Sequence, residues 1–114
     1  MPLSLSHLNL PARQPEALAQ WYEATFGFER RGTVLIGRNT LIVFEQGEPL
    51  GARGNTHFGF SVSTKAEVLT WATKVGKSPM MEEDYVGLKI SDPEGNIIEI
   101  YWEANGPSRK DAAA

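Results

Sequence analysis

Ser6-His7-Leu8-Asn9-Leu10 returns fifty residues later as Thr56-His57-Phe58-Gly59-Phe60, and the stretch after each copy repeats too. After a short break, a helix-like run passes Trp21 and stops at Gly27; in the second copy the run passes Trp71 and stops at Gly76. His7 falls on His57 and Trp21 on Trp71 without a gap, and these are the protein's only two histidines. Self-similarity at a fixed period marks a duplicated supersecondary unit, so the fold question becomes what one unit is. A polar residue kept at the same strand position in both copies also asks for a chemical explanation, because a duplicated module varies its surface freely.

The hydrophobic period identifies the unit. Leu8 and Leu10 take one face of a strand, with His7 and Asn9 on the other. Pro15 suits the first turn of a helix, where a missing N–H costs nothing. Leu18, Trp21, Tyr22 and Thr25 then follow helical spacing, which makes Trp21 a core residue, and Gly27 is placed for a C-terminal cap. Residues 28–31, 33–36 and 40–45 read as three short strands separated by Gly32 and by an Arg38-Asn39 turn. In the second copy Phe58, Phe60 and Val62 alternate with His57, Gly59 and Ser61. Thr64-Lys65-Ala66-Glu67 is a capping box, and the helix that it opens carries Val68, Trp71, Ala72 and Val75 as its core stripe. Residues 80–85 are ambiguous, 86–91 alternate as a strand, Asp92-Pro93-Glu94-Gly95-Asn96 is a turn, and 97–102 form the last strand.

Each half therefore reads strand, helix, three strands, and the predicted class is α+β. Two tandem βαβββ modules form a curved mixed sheet, with the helices outside and a concave cavity within. The boundaries expected are a single domain over 1–104, with module one at about 1–46, a Gly/Pro linker at 47–55 and module two at about 56–104. Residues 105–114 read as a flexible tail.

Composition closes several doors. With 14 acidic against 11 basic residues and no Lys/Arg run longer than a pair, neither nucleic acid nor an anionic membrane surface is an expected partner. The absence of cysteine removes disulfides, thiolate nucleophiles and thiolate metal sites. The longest aliphatic run, Leu41-Ile42-Val43-Phe44, is far too short to span a bilayer. The amino-terminal stretch lacks the basic start and long apolar segment of a signal peptide, so a cytoplasmic protein is expected.

The last strand holds the one chemical anomaly. In Ile97-Ile98-Glu99-Ile100-Tyr101-Trp102 a carboxylate stands between isoleucines, which is costly unless it is paired, hydrogen-bonded or bound to a cation. Alternation puts Glu99 and Tyr101 opposite Ile98 and Ile100, on the face away from the helix, which is also the face of His7 and His57. Two imidazoles and a carboxylate so placed make a facial site for a divalent ion (Fe, Mn, Zn, Co or Ni) with open coordination positions.

The paired modules, the histidine in each first strand, and the Asp-Pro-Glu-Gly-Asn turn running into Ile-Ile-Glu-Ile together resemble the vicinal oxygen chelate superfamily. Its members include glyoxalase I, fosfomycin-resistance enzymes, methylmalonyl-CoA epimerase, extradiol dioxygenases and bleomycin-resistance proteins. The resemblance implies His7, His57 and Glu99 as metal ligands. It also implies a fourth ligand, Glu or Gln, on the last strand of module one in the glyoxalases and epimerases. Matching Asn39 to Asn96 puts Ile42 at that position, and Glu45, three residues on, would need a bulge to turn inward. A three-ligand enzyme is therefore expected, acting on a small molecule by isomerisation or lysis, addition to an epoxide, or oxygenation. The alternative is a metal-free, bleomycin-resistance-like protein that sequesters a small aromatic or cationic compound. Tyr101 and Lys89 are the candidate catalytic groups; Asn9, Ile42 and Phe44 are the expected pocket lining. The resemblance further implies a homodimer, with His7 and the His57–Glu99 pair drawn either from different subunits, as is frequent in the superfamily, or from one chain.

Overall fold

The computed structural model describes residues 2–51 and 53–105 of the chain. Its elements keep the order that the repeat demands. The first half contains β1 (His7–Ala12), α1 (Pro15–Phe26), β2 (Glu29–Arg31), β3 (Val34–Gly37) and β4 (Thr40–Gln46). The second contains β5 (Phe58–Ser61), α2 (Lys65–Val75), β6 (Met80–Met81), β7 (Tyr85–Ser91) and β8 (Ile97–Glu103). Each half makes one four-stranded mixed sheet, ordered β1-β4-β3-β2 and β5-β8-β7-β6, and neither sheet closes on itself. The class is α+β with tandem βαβββ modules. Residues 106–114 of the expected tail lie outside the described residues. No helix among the described residues is long and apolar enough to cross a membrane.

Two compact units form. One is the chain up to Thr56 together with Ser91–Asn96; the other is His57–Ile90 with the chain from Ile97. The turn ahead of the last strand thus packs with the first module although its sequence lies in the second. Its Asp92 is buried and fully satisfied: it accepts from the Tyr22 hydroxyl at 2.6 Å, from the backbone N–H groups of Glu94 and Asn96 at 2.9 and 3.0 Å, and from the Asn96 amide at 2.8 Å. Glu94 meets the start of α1. The N-cap residue, Gln14, makes no side-chain cap, and the Glu94 carboxylate instead accepts from the backbone N–H groups of Arg13 (2.6 Å) and Gln14 (3.0 Å). Negative charge is favoured at that end of a helix.

The other helix ends are local. α2 is capped at Thr64, with the Glu67 N–H donating to Thr64 Oγ1 at 3.2 Å; the Glu67 carboxylate meets the Thr64 hydroxyl at 3.3 Å rather than the backbone N–H that a full capping box engages. Gly27 and Gly76 terminate the helices in the left-handed conformation, φ 78° and 71°, which only glycine adopts without cost.

In the first unit Leu10, Ala12, Leu35, Ile42 and Phe44 are buried with Leu18, Ala19 and Tyr22 of α1. In the second, Val68 and Ala72 of α2 are buried with Val86, Leu88, Ile90, Ile98 and Ile100. Trp21 and Trp71 are half-buried rather than core residues, so the buried stripes are narrower than the helical spacing predicts. An indole is rarely buried whole. Trp21 stands edge-on to Tyr22 and Phe26, with ring centroids 5.0 and 5.7 Å away, and Trp71 lies under the Lys74 ammonium at 4.8 Å.

Candidate functional site

Glu99 owes its position to strand alternation. Ile98 and Ile100 are buried at 0% and 2% exposure, so the residue between them must point to the opposite face of β8. β5 runs parallel beside it in the register Phe58↔Ile98, Gly59↔Glu99. His57, immediately before β5, shares the parity of Gly59 and brings its Nε2 to 3.1 Å from Glu99 Oε1. A Cβ added at Gly59 would come within 3.1 Å of the Tyr101 ring and 3.4 Å of Glu99 Cβ, so glycine there leaves room for both side chains. The carboxylate side chain is 17% exposed and the imidazole 31%.

The second carboxylate oxygen is also engaged. Tyr85, at the start of the neighbouring strand β7, donates its hydroxyl to Glu99 Oε2. Its ring stacks on Tyr101, with centroids 6.4 Å apart and planes 20° from parallel. Burial, followed by the hydrogen bond from Tyr85 to Glu99 and the charge of Glu99, pushes the Tyr85 phenol well above its ordinary value. Burial, then the charges of Glu103 and Glu99, raise Tyr101 as well. Both phenols therefore stay protonated donors at neutral pH.

The helix-free face of the first unit carries His7 and Asn9. β1 and β4 pair in parallel without interruption from His7↔Leu41 to Ala12↔Gln46, which puts His7, Asn9, Leu41, Val43 and Glu45 on that face. The Asn9 amide donates to Glu45 Oε1. An open cavity of about 670 Å³ borders His7, lined by residues 4–7 and 39–41.

Several expectations change here. Ile42 and Phe44 are not pocket wall: at 2% and 1% exposure they are core residues, with the Phe44 ring 5.1 Å from that of Tyr22. Nor is Ile42 the counterpart of Glu99. Leu8 pairs with Ile42 as Phe58 pairs with Ile98, so Ile42 matches Ile98, Val43 matches Glu99 and Glu45 matches Tyr101. Aligning the two preceding asparagines slipped by one residue because the loops differ. Two residues join β3 to β4, with Asn39 at φ 53°, whereas five join β7 to β8. Glu45 consequently faces the same side as His7 with no bulge.

Lys89 is exposed on β7 between buried Leu88 and Ile90, on the parity of Tyr85 and Gly87. Tyr85 is the site residue that the sequence reading missed. The available signal was the alternation of Val86, Leu88 and Ile90, which extends back one step to place Tyr85 with Gly87 and Lys89.

Among the described residues no group of three or more His, Asp or Glu side chains comes together to hold a metal ion. His57 and Glu99 are brought together, and His7 belongs to the other compact unit. The pair does fit an ion. Two ligands each about 2.1 Å from a metal and at about a right angle stand about 3 Å apart, close to the observed separation.

No protein-family model matches the sequence, and no match is found among curated proteins. Solved structures do match. Fosfomycin resistance protein FosX from Mesorhizobium loti is 19% identical with a TM-score of 0.74, over 96% of this chain and 98% of that one. Lactoylglutathione lyase from Agrobacterium tumefaciens is 21% identical with a TM-score of 0.69, over 88% and 93%. A glyoxalase/bleomycin resistance protein/dioxygenase family enzyme from Burkholderia phytofirmans is 21% identical with a TM-score of 0.67, over 84% and 95%. The chain shares the fold of these proteins, the tandem two-module fold that the repeat and the turn before the last strand implied.

Proposed function

We propose that this chain is a small metal-dependent enzyme of the glyoxalase, fosfomycin-resistance and dioxygenase-like group, in which His57, Glu99 and His7 hold a divalent ion beside a small organic substrate. The observation that supports the reading is the convergence of His57 Nε2 and Glu99 Oε1, 3.1 Å apart, on the helix-free face of the second sheet. An ion held there would supply Lewis-acid polarisation of adjacent substrate oxygens and offset negative charge on them. Tyr101, on the face of Glu99 and protonated, donates a hydrogen bond to a substrate oxygen. Lys89 takes an anionic substituent, and Asn9 contacts the substrate beside His7. His7, from the same chain or from a second copy, completes the ligand set in a homodimer with two equivalent sites.

Equilibrium dialysis of the full chain should give about one divalent ion per site, and the expected loss is complete in both His57→Ala and Glu99→Ala. Full occupancy in the His57→Ala protein ends the reading. Refolded mixtures of His7→Ala and Glu99→Ala proteins regain one ion per dimer if sites are shared between subunits, and none if each lies within one chain.

One observation favours a second reading. The His57–Glu99 contact is also a complete hydrogen bond, and Tyr85 satisfies the remaining carboxylate oxygen, so the site is closed without an ion. A metal-free protein that sequesters a small aromatic or cationic compound would take up no ion and show a thermal midpoint insensitive to chelators.

A further inference from the structure

We infer that Tyr85 is a positioning residue that fixes the rotation of the Glu99 carboxylate, holding one oxygen so that the other faces His57, and that Gly87 is the gap in the fold through which it acts. The inference deepens the proposed role of Glu99 and rests on it for its consequence in metal binding, though not for the geometry itself. A free glutamate turns easily about its last bond, so its two oxygens hold no fixed direction. Here they have different partners: His57 Nε2 at Oε1 and the Tyr85 hydroxyl at Oε2. With Oε2 held by Tyr85, Oε1 is kept beside His57 Nε2, where the two can turn to one ion.

The Tyr85 ring is set from two sides. Tyr101, two residues beyond Glu99 on the same face, stacks against it. On the other side the ring crosses Gly87, where an added Cβ would lie 2.1 Å from the Tyr85 oxygen, 2.5 Å from Cζ and 3.0 Å from Cε1. These are the three nearest atoms to that Cβ, and Gly87 is not in the left-handed region, so alanine there displaces the tyrosine rather than straining the backbone. Tyr85→Phe deletes the hydroxyl and keeps the ring; Gly87→Ala keeps the hydroxyl and moves it. If both act through Glu99, they must give one phenotype, and the double variant must add little to either.

The test uses the full-length chain in two states. In the metal-free protein the side-chain ¹⁵N resonance of His57 Nε2 reports its contact with Glu99. Both single variants should shift it in the same direction, and the double variant should match Tyr85→Phe. In the presence of Co(II), affinity measured by equilibrium dialysis should fall about 10- to 100-fold in both, as for other groups that orient a metal ligand. A His57 resonance unchanged in Tyr85→Phe overturns the positioning role. A shift in Tyr85→Phe but not in Gly87→Ala overturns the part assigned to Gly87. A wild-type protein that takes up no Co(II) refutes the metal reading alone, because the resonance still decides whether Tyr85 holds the carboxylate. Co(II) bound equally tightly by wild type and Tyr85→Phe refutes the consequence for binding.

Discussion

Tyr22→Phe removes a single oxygen from the core and tests whether the turn at Asp92 is tied to α1 by charge-assisted hydrogen bonding. Tyr22 is 0% exposed and Asp92 4%, and the hydroxyl donates to Asp92 Oδ2 at 2.6 Å. Phenylalanine retains the ring that meets Trp21, Phe26 and Phe44, so no cavity opens and the hydrogen bond is isolated. Such a bond to a charged group contributes about 1.5–3 kcal/mol. Asp92 keeps three other donors, so its carboxylate is not stranded, and the expected loss is in the lower half of that range, about 1.5–2 kcal/mol. In a domain of this size that lowers Tm by about 5–10 °C. Urea titration followed by circular dichroism measures it, with an unchanged m-value showing that the same surface is exposed on unfolding. Asp92→Ala must cost more, about 3 kcal/mol or above, because the Tyr22 hydroxyl, the Asn96 amide and two backbone N–H groups all lose their acceptor. A loss under about 0.5 kcal/mol in Tyr22→Phe, or an Asp92→Ala protein no less stable than it, would refute the reasoning.

Two further outcomes come from the same packing. Glu94→Ala should cost about 1 kcal/mol in the same titration and speed amide exchange at Arg13 and Gln14, since α1 has no cap of its own; wild-type stability would show that water caps the helix equally well. The chain's three tyrosines all titrate above the ordinary value, Tyr22 through burial and then Asp92, Tyr85 through burial and then Glu99, and Tyr101 through burial and then Glu103 and Glu99. The folded protein therefore holds phenolic protons that the unfolded chain releases near its ordinary pKa of about 10, so this stability is complete below about pH 10 and is lost as the pH rises beyond it. Tyrosinate absorbance should accordingly appear together with unfolding; ionisation with an ordinary midpoint in the folded protein contradicts the burial.

Much of this molecule was legible in its sequence because the relevant physics is local. The fifty-residue repeat, the helix spacing, the N-cap at Thr64 and the glycines that end both helices depend on near neighbours. Alternation assigned Glu99 and both histidines to the helix-free faces, since side-chain parity is a property of the extended backbone itself. The same rule placed Asn9 with His7 and Tyr101 with Glu99.

What lay beyond it depended on chain segments distant in sequence. Parity says which face a residue takes but not which residue stands opposite it. That register is set by the loop feeding each strand, and unequal loops moved the counterpart of Glu99 from Ile42 to Val43 and turned Glu45 towards the His7 face. The burial of Phe44 under α1, the Glu94 cap that reaches Gln14 from 80 residues away, and the Tyr85 hydroxyl on Glu99 each need two segments that only the folded chain brings together. A period and a cap are written in consecutive residues, so the sequence alone determined the modules and their faces. Hydrogen bonds and packing across strands depend on where a side chain ends in space, and tertiary structure alone decided those.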